Sequence, residues 1–501
     1  MPLLKSGMKS VGKDVLNVGQ AVTKAALRGK DVKRVAKKGA KRSAQRWFTN
    51  LASALGPPLQ APSVRAKTVN TSTMRPKACV KSELDLFAVP STQSQIDHGQ
   101  WVEYHPVATL TDQGPLEFYV AGTGDDYIDL ANTLLVVSLK ITNQDGSNLA
   151  EGANVGPTNL FLHSLFSQVD LSLNEKLVSS STNTYPYRAY IETLLSYGPA
   201  AKASHLTAAL WAKDTAGHMH TGQNDGFTAR SRWTASSQSV ELMGRLHGDL
   251  FFQERYLING VNLRIRLVRS KDSFSLMSGA VNPNFKVKLQ SAVLYIRKVK
   301  LQPSVQLAHI KALEKTTVKY PIRRVETKIF SVSNGNLTVN QENLFLGQLP
   351  RRVVIGCVDN EAFNGSYPRN PFEFQHHSIN FLALYVDGMQ VPAKPLQPDF
   401  DERHVVRSYL SLFLGTERLH QDEGNDISID DYDKGYTLFA FDLTPDLSNQ
   451  GHFELIKEGN VRLEMHFAKA LPRTINIIVD AEFDNIIEID RSRNVLFDYS
   501  A

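Results

Sequence analysis

The chain of 501 residues is 42% hydrophobic and 21% charged, an ordinary globular composition that excludes disorder throughout and allows two or three domains with buried cores. Its formal charge of +6 is unevenly spread: residues 1–81 hold 18 Lys and Arg against Asp14 and Asp31, a formal +16, which leaves −10 for residues 82–501. That polarity predicts a cationic segment drawn to polyanions, joined to an acidic body that does not itself seek nucleic acid.

Residues 1–55 read as a basic, partly helical arm. Leu4, Met8, Val11, Val15, Val18, Val22 and Ala25 recur at steps of four and three, the spacing of one helical face. Gly7, Gly12 and Gly19 interrupt it, each weakening an isolated helix by up to about 1 kcal/mol, so the segment is expected to fold only when docked. A denser block follows, Lys33, Arg34, Lys37, Lys38, Lys41, Arg42 and Arg46, and then Trp47, Phe48 and Leu51. Nucleic-acid phosphates suit such cation density without any sequence code. A membrane surface suits the apolar stripe with its aromatic end, and a solvated basic tail or nuclear import signal is the plain alternative. These seven cations are the candidate contacts with nucleic acid or membrane. From Gly56-Pro57-Pro58 to residue 81 the chain is rich in Pro, Ser, Thr and Ala and reads as an extended linker. Residues 1–30 lack the continuous apolar core of a secretory signal, and no run of about 18 apolar residues is long enough to span a bilayer.

Beyond Leu84 the period changes from 3.6 to 2. Val169, Leu171 and Leu173 alternate with polar residues, as do Val261, Leu263, Ile265 and Leu267, the mark of half-buried strands. Further strands are expected at 134–142, 285–295, 327–332, 352–358, 379–386, 436–442, 461–467 and 474–483, several separated by turns such as Asn334-Gly335-Asn336 and Asp387-Gly388. Two helices are expected. One, at 187–197, places Tyr187, Tyr190, Ile191, Leu194 and Leu195 on one face; the other, at 304–315, is capped by Ser304 and turns Val305, Leu307, Ile310 and Leu313 inward. The fold class is therefore all-β. Taking the second helix as a junction divides the body into 82–303 and 316–501, each with strands enough for one eight-stranded antiparallel sandwich.

Chemistry is sparse. Cys79 and Cys357 share no CxxC or Cys/His spacing, so neither a disulfide scaffold nor a structural zinc site is expected. No GxSxG, HExxH, phosphate-binding loop or dinucleotide fingerprint occurs. His376 and His377 are adjacent strand residues that point to opposite faces. The acidic run Asp422, Glu423, Asp426, Asp430, Asp431 and Asp433 does not match calcium-loop spacing, and Asp125, Asp126 and Asp129 suit turn and capping roles. Tyr185, Tyr187 and Tyr190 read as packing anchors. No catalytic residue, cofactor or metal is assigned, and an enzyme is not expected.

Several longer runs are more specific. Residues 162–174 (LHSLFSQVDLSLN), 183–197 (NTYPYRAYIETLLSY), 256–274 (YLINGVNLRIRLVRSKDSF), 436–446 (YTLFAFDLTPD) and 481–491 (AEFDNIIEIDR) resemble the major capsid (hexon-like) proteins of Maverick/Polinton elements and adintoviruses. The resemblance spans both halves of the body. It implies a double jelly-roll, a homotrimer forming a pseudo-hexagonal capsomer, and capsomers tiling an icosahedral virion around double-stranded DNA, with minor capsid and penton proteins as further partners. It also implies assembly inside the host cell, with the nucleus a candidate place, and the basic arm turned inward toward packaged DNA or an inner membrane. The body is short for that family, so modest surface loops are expected, and the arm resembles the small core or membrane-active proteins of adenovirus-like particles more than a usual capsid N-terminus. The competing expectation is a domesticated intracellular β-sandwich protein that binds nucleic acid through its arm.

Overall fold

The computed structural model describes residues 89, 91–112, 114–122, 124–447 and 452–499. The arm, its seven candidate cations and the linker lie outside the described residues. In the first half the strands are β1 (Ile96–Tyr104), β2 (Leu116–Val120), β3 (Tyr127–Asn143), β4 (Val155–Pro157), β5 (Phe166–Leu173), β6 (Lys176–Leu177), β7 (Val240–Gly244), β8 (Leu263–Arg269), β9 (Leu276–Ser278) and β10 (Phe285–Leu301). The second half adds β11 (Val318–Val332), β12 (Thr338–Gln348), β13 (Arg352–Asp359), β14 (Ile379–Val386), β15 (Met389–Leu396), β16 (Leu438–Asp442), β17 (Glu458–Phe467), β18 (Ile475–Ile489) and β19 (Val495–Phe497). The longer helices are α1 (Tyr185–Ser196), α2 (Asp225–Thr234), α3 (Pro303–Leu313) and α4 (Val406–Leu414).

Strand order reveals the architecture. The first half forms the sheets β1-β10-β3-β7 and β2-β8-β5-β6, and the second forms β11-β18-β13-β16 and β12-β17-β14-β15. With the short pair β4 and β9 and the short strand β19, which pairs with β18, set aside and the eight main strands of each half counted in chain order, both halves give 1-8-3-6 opposite 2-7-4-5. That interleaving of early and late strands is the jelly-roll, and it occurs twice although the two halves share no sequence repeat. The pairing is antiparallel throughout the four sheets.

Local sequence explains the strands. In β8, Leu263, Ile265 and Leu267 are buried while Arg264 and Arg266 lie outward, both paired with Glu117 on neighbouring β2, as opposite charges on adjacent strands favour. Asp387 and Gly388 both have positive φ, which the tight turn joining β14 and β15 requires. The second roll's own core is filled from both sheets: Val353, Ile355, Ile477, Val479 and Phe439 from one, Leu382, Leu384, Leu463 and Met465 from the other.

The first expected helix, α1, buries Tyr187, Tyr190, Ile191, Leu194 and Leu195 together. The second differs from expectation. Helix α3 begins at Pro303 behind Gln302, without a side-chain cap from Ser304. Leu313 is buried, but Leu307 and Ile310 are 53% and 52% exposed. Helical spacing says that these residues share a face; it does not say what covers that face.

Candidate functional site: a sealed sheet face and an open one

The second roll's sheet β11-β18-β13-β16 is buried on both sides. Along β13, Val353, Ile355 and Cys357 face the roll's own core, while Val354 and Val358 join the core of the first half. On β16 and β18, Leu438, Ala440 and Ile478 do the same. This explains the nearly unbroken apolar runs there, since a strand covered on both faces has no polar alternate. The cover comes from the long connection between β6 and β7, which carries α1 and α2. Tyr190 stacks on Phe372 at 4.3 Å between ring centroids and 1° between planes, and Tyr187 stacks on Phe363 at 5.5 Å. Gly356 makes room for this layer: a Cβ there would lie 2.5 Å from both Phe374 and Leu438.

Charges are buried in the same junction. Asp214 and Arg230 have fully buried side chains and pair at 2.6 Å. Asp214 also accepts from Asn224 at 2.8 Å and, across the junction, from Asn370 at 3.0 Å. The Tyr436 hydroxyl donates to its backbone carbonyl at 2.6 Å. Every acceptor position so used offsets the cost of taking the carboxylate out of water.

Nearby, Arg188 of α1 pairs with Glu192 at 2.9 Å and Asp249 at 2.7 Å, His247 contacts Glu192, and Asp249 accepts from the Val325 amide of the second roll at 3.2 Å. Burial opposes the ionisation of Glu192, but the charge of Arg188 and the hydrogen bond from His247 outweigh it and hold its carboxyl at about 2. Asp480 of β18 reaches no guanidinium within bonding distance and accepts from Thr327 at 3.0 Å. Burial first, then the charge of Glu192, pushes its carboxyl up to about 8. The carboxylates Glu192, Asp249 and Asp480 thus outnumber Arg188, and Asp480 holds a proton at neutral pH.

The matching sheet of the first roll, β1-β10-β3-β7, has no such cover among the described residues. Its inward residues Leu135, Val137, Leu139 and Leu294 are completely buried. Outward, Val136 stands opposite Val293 and Met243, Leu134 opposite Tyr295, and Trp101 opposite Arg297. Directly paired residues share a face, so Val136, Leu134, Val293, Tyr295, Met243 and Trp101 lie on one face, bordered by Glu103, Arg297, Ser138 and Glu241; in it Trp101 is 48% and Met243 38% exposed. The run Leu134-Leu135-Val136-Val137 has the composition of a strand buried on both sides, yet only one side is buried by the described residues.

Other residues singled out by sequence have local roles. His376 stacks on Phe400 at 4.1 Å and accepts from the Ser378 amide at 3.0 Å; burial and the neighbouring His376 hold the His377 imidazole down at about 4. In the acidic run, Asp431 pairs with Lys213 at 2.9 Å and completes a capping box with Ser428. Asp129 pairs with Arg297 at 2.6 Å and accepts from Asn132. Sequence reading did not anticipate the Arg230–Asp214 pair or the Arg188 cluster; Arg188 and Glu192 are four residues apart on α1, and tertiary folding brings the other members to them.

No protein-family model matches the chain. It is 28% identical over 428 residues to Uncharacterized protein F54H12.2 of Caenorhabditis elegans, a match covering 82% of this chain and 99% of the relative. Among solved structures, the cryo-EM structure of the Sputnik virophage superposes with a TM-score of 0.58 at 12% identity, covering 84% of this chain and 92% of that one. PBCV-1 VP54, a crystal structure fitted into a reconstruction of the virophage Sputnik, superposes with a TM-score of 0.53 at 9% identity, covering 83% and 100%. These neighbours are double jelly-roll major capsid proteins of double-stranded DNA viruses and virophages. At such identities the likeness is one of architecture, and together with the repeated strand order it makes this chain a double jelly-roll.

Proposed function

We propose that the chain is a major capsid protein, a structural subunit whose trimers form the pseudo-hexagonal capsomers of an icosahedral shell enclosing double-stranded DNA. The observation that carries this reading is the unmatched sheet face. One roll's outward sheet is sealed by the neighbouring roll within the chain, and the equivalent sheet of the first roll, with its apolar centre, is left uncovered by the described residues. A head-to-tail contact with a second copy supplies one, and a heterologous contact of this kind closes into a ring when its rotation allows. Three chains would bring six rolls around the axis. Architectural likeness to shell proteins supports the reading, as do the resemblances of residues 162–174 and 256–274 to Maverick/Polinton and adintovirus capsid proteins.

In the assembled particle the arm faces inward, where Lys33, Arg34, Lys37, Lys38, Lys41, Arg42 and Arg46 neutralise DNA phosphates. Neighbouring capsomers and minor or penton proteins are the remaining partners, and the virion is the protein's location. Deleting residues 1–50 is expected to leave trimers intact and abolish salt-sensitive retention on DNA. Unchanged retention would overturn the phosphate assignment, and flotation of the full chain, but not the truncated one, with anionic liposomes would assign the arm to an inner membrane instead.

The nematode relative, matched along nearly its whole length, favours a gene carried in an animal genome, either as an integrated element or as a domesticated nucleic-acid-binding protein. Assembly separates the two, because a domesticated protein that no longer builds shells remains a monomer.

A further inference from the structure

We infer that a cavity of about 320 Å³, lined by the end of β8 and the start of α1 in the first roll and by the short helix Asn360–Asn364 of the second, binds a small phosphate monoester with a flat apolar substituent. Small-molecule sites begin at about 300 Å³, and this lining divides into a polar wall and an aromatic one. Arg269, Ser270 and Lys271 supply the first. Tyr187, Phe274 and Phe363 supply the second, with the Tyr187 ring 5.5 Å from Phe363 and 5.9 Å from Phe274.

The observation that points to an anion is the state of Arg269. Its side chain is 4% exposed, and its Nε and Nη1 are closed to solvent without a hydrogen-bond partner. Nη2 alone is engaged: it donates to the Val287 carbonyl at 3.4 Å and stands 4.0 Å from Asp272 Oδ1, the outer limit of an ion pair. That oxygen already accepts from the Val287 amide at 3.0 Å. A buried guanidinium with two unmet donors is costly until an acceptor meets it, and burial weakens its hold on the proton. The hydroxyls of Ser270 and Tyr187, in the same lining, are likewise closed off and unpartnered. Lys271 Nζ donates to the Asn364 carbonyl at 3.2 Å, which brings a second cation to the cavity with hydrogens to spare. The planar fork of arginine matches phosphate oxygens, and two cations balance a dianion. The aromatic wall takes the apolar body of the ligand. The site stands independently of the capsid reading.

The test is calorimetric titration of the full chain with phenyl phosphate and with inorganic phosphate. The basic segment 1–81 attracts anions equally in every variant, so differences between wild type and variants isolate the cavity. Wild-type protein is expected to bind one phenyl phosphate per chain here, about tenfold more tightly than inorganic phosphate, and Arg269→Gln to bind both at least about tenfold more weakly. Phe363→Leu is expected to weaken phenyl phosphate and leave inorganic phosphate unchanged. Circular dichroism checks that each variant folds; if Arg269→Gln does not, Lys271→Gln, at an exposed position, decides by the same loss of affinity. Wild-type affinity in the folded cation variant, or equal affinity of wild type for the two probes, would overturn the site, whatever the oligomeric state.

Discussion

The two jelly-rolls have the same strand order and treat corresponding sheets differently. Val354 of β13 and Val136 of β3 occupy outward positions on topologically matching strands, but Val354 is 4% exposed beneath a layer of aromatic side chains, whereas Val136 lies on the uncovered sheet. The difference teaches that strand topology fixes which residues point outward, while the long connections decide what meets them. In the first roll the connection between β6 and β7 crosses to the neighbouring roll. No segment of the described chain returns the service.

The largest expected effect tests this directly. Val354→Asp places an unpaired carboxylate beside Asp480 in a sealed layer and is expected to cost about 4 kcal/mol or more, read as loss of the folded baseline in urea. Val136→Asp, at the matching position, is expected to shift folding stability by less than about 1 kcal/mol while preventing assembly. Equal destabilisation by the two substitutions would erase the distinction between the faces.

Arg230→Ala removes the cation that meets Asp214 in the junction, an expected loss of about 3–5 kcal/mol. A urea midpoint within error of wild type would show that the junction does not depend on the pair. Gly356→Ala drives a methyl group into Phe374 and Leu438 and is expected to cost about 1–3 kcal/mol, with thermal denaturation as the readout.

The smallest effect is one of pH. Asp480 has a folded value near 8, above its unfolded value of about 3.9, so the folded state binds the extra proton. Its contribution is fully present below about pH 4 and is lost as pH rises toward 8. Glu192, held at about 2, works the other way: its contribution is present above its unfolded value and is lost as pH falls through about 2. Asp480→Asn is therefore expected to flatten the decline in urea midpoint between pH 5 and pH 8. If the slope of the variant equals that of wild type, Asp480 does not hold its proton in the folded chain.

Much of the fold was legible in sequence because period-2 alternation, as in β8 and β5, reports a half-buried sheet without reference to distant residues. The expected strand at 379–386 coincides with β14, and α1 was legible from Tyr187, Tyr190 and Leu194 at helical spacing. The doubling was supported only by strand count, since the order 1-8-3-6 depends on pairing between ends of each roll about 140 residues or more apart, as in β1 with β10 and β11 with β18. The inward packing expected of Leu307 and Ile310 failed for the same physical reason that hid the junction: a sequence pattern defines a face and leaves its partner unspecified. Arg230 and Asp214 were silent because a buried charge looks like a surface charge until its surroundings are known. The run Leu134-Leu135-Val136-Val137 did carry a signal, a strand too apolar for the single face that the described residues cover.

The measurement that bears most directly on shell building is the mass of the full chain in solution by light scattering at micromolar concentration. A species of about 170 kDa, three times the 55.8 kDa chain, that collapses to monomer in Val136→Asp is the expected result. A stable wild-type monomer would contradict it.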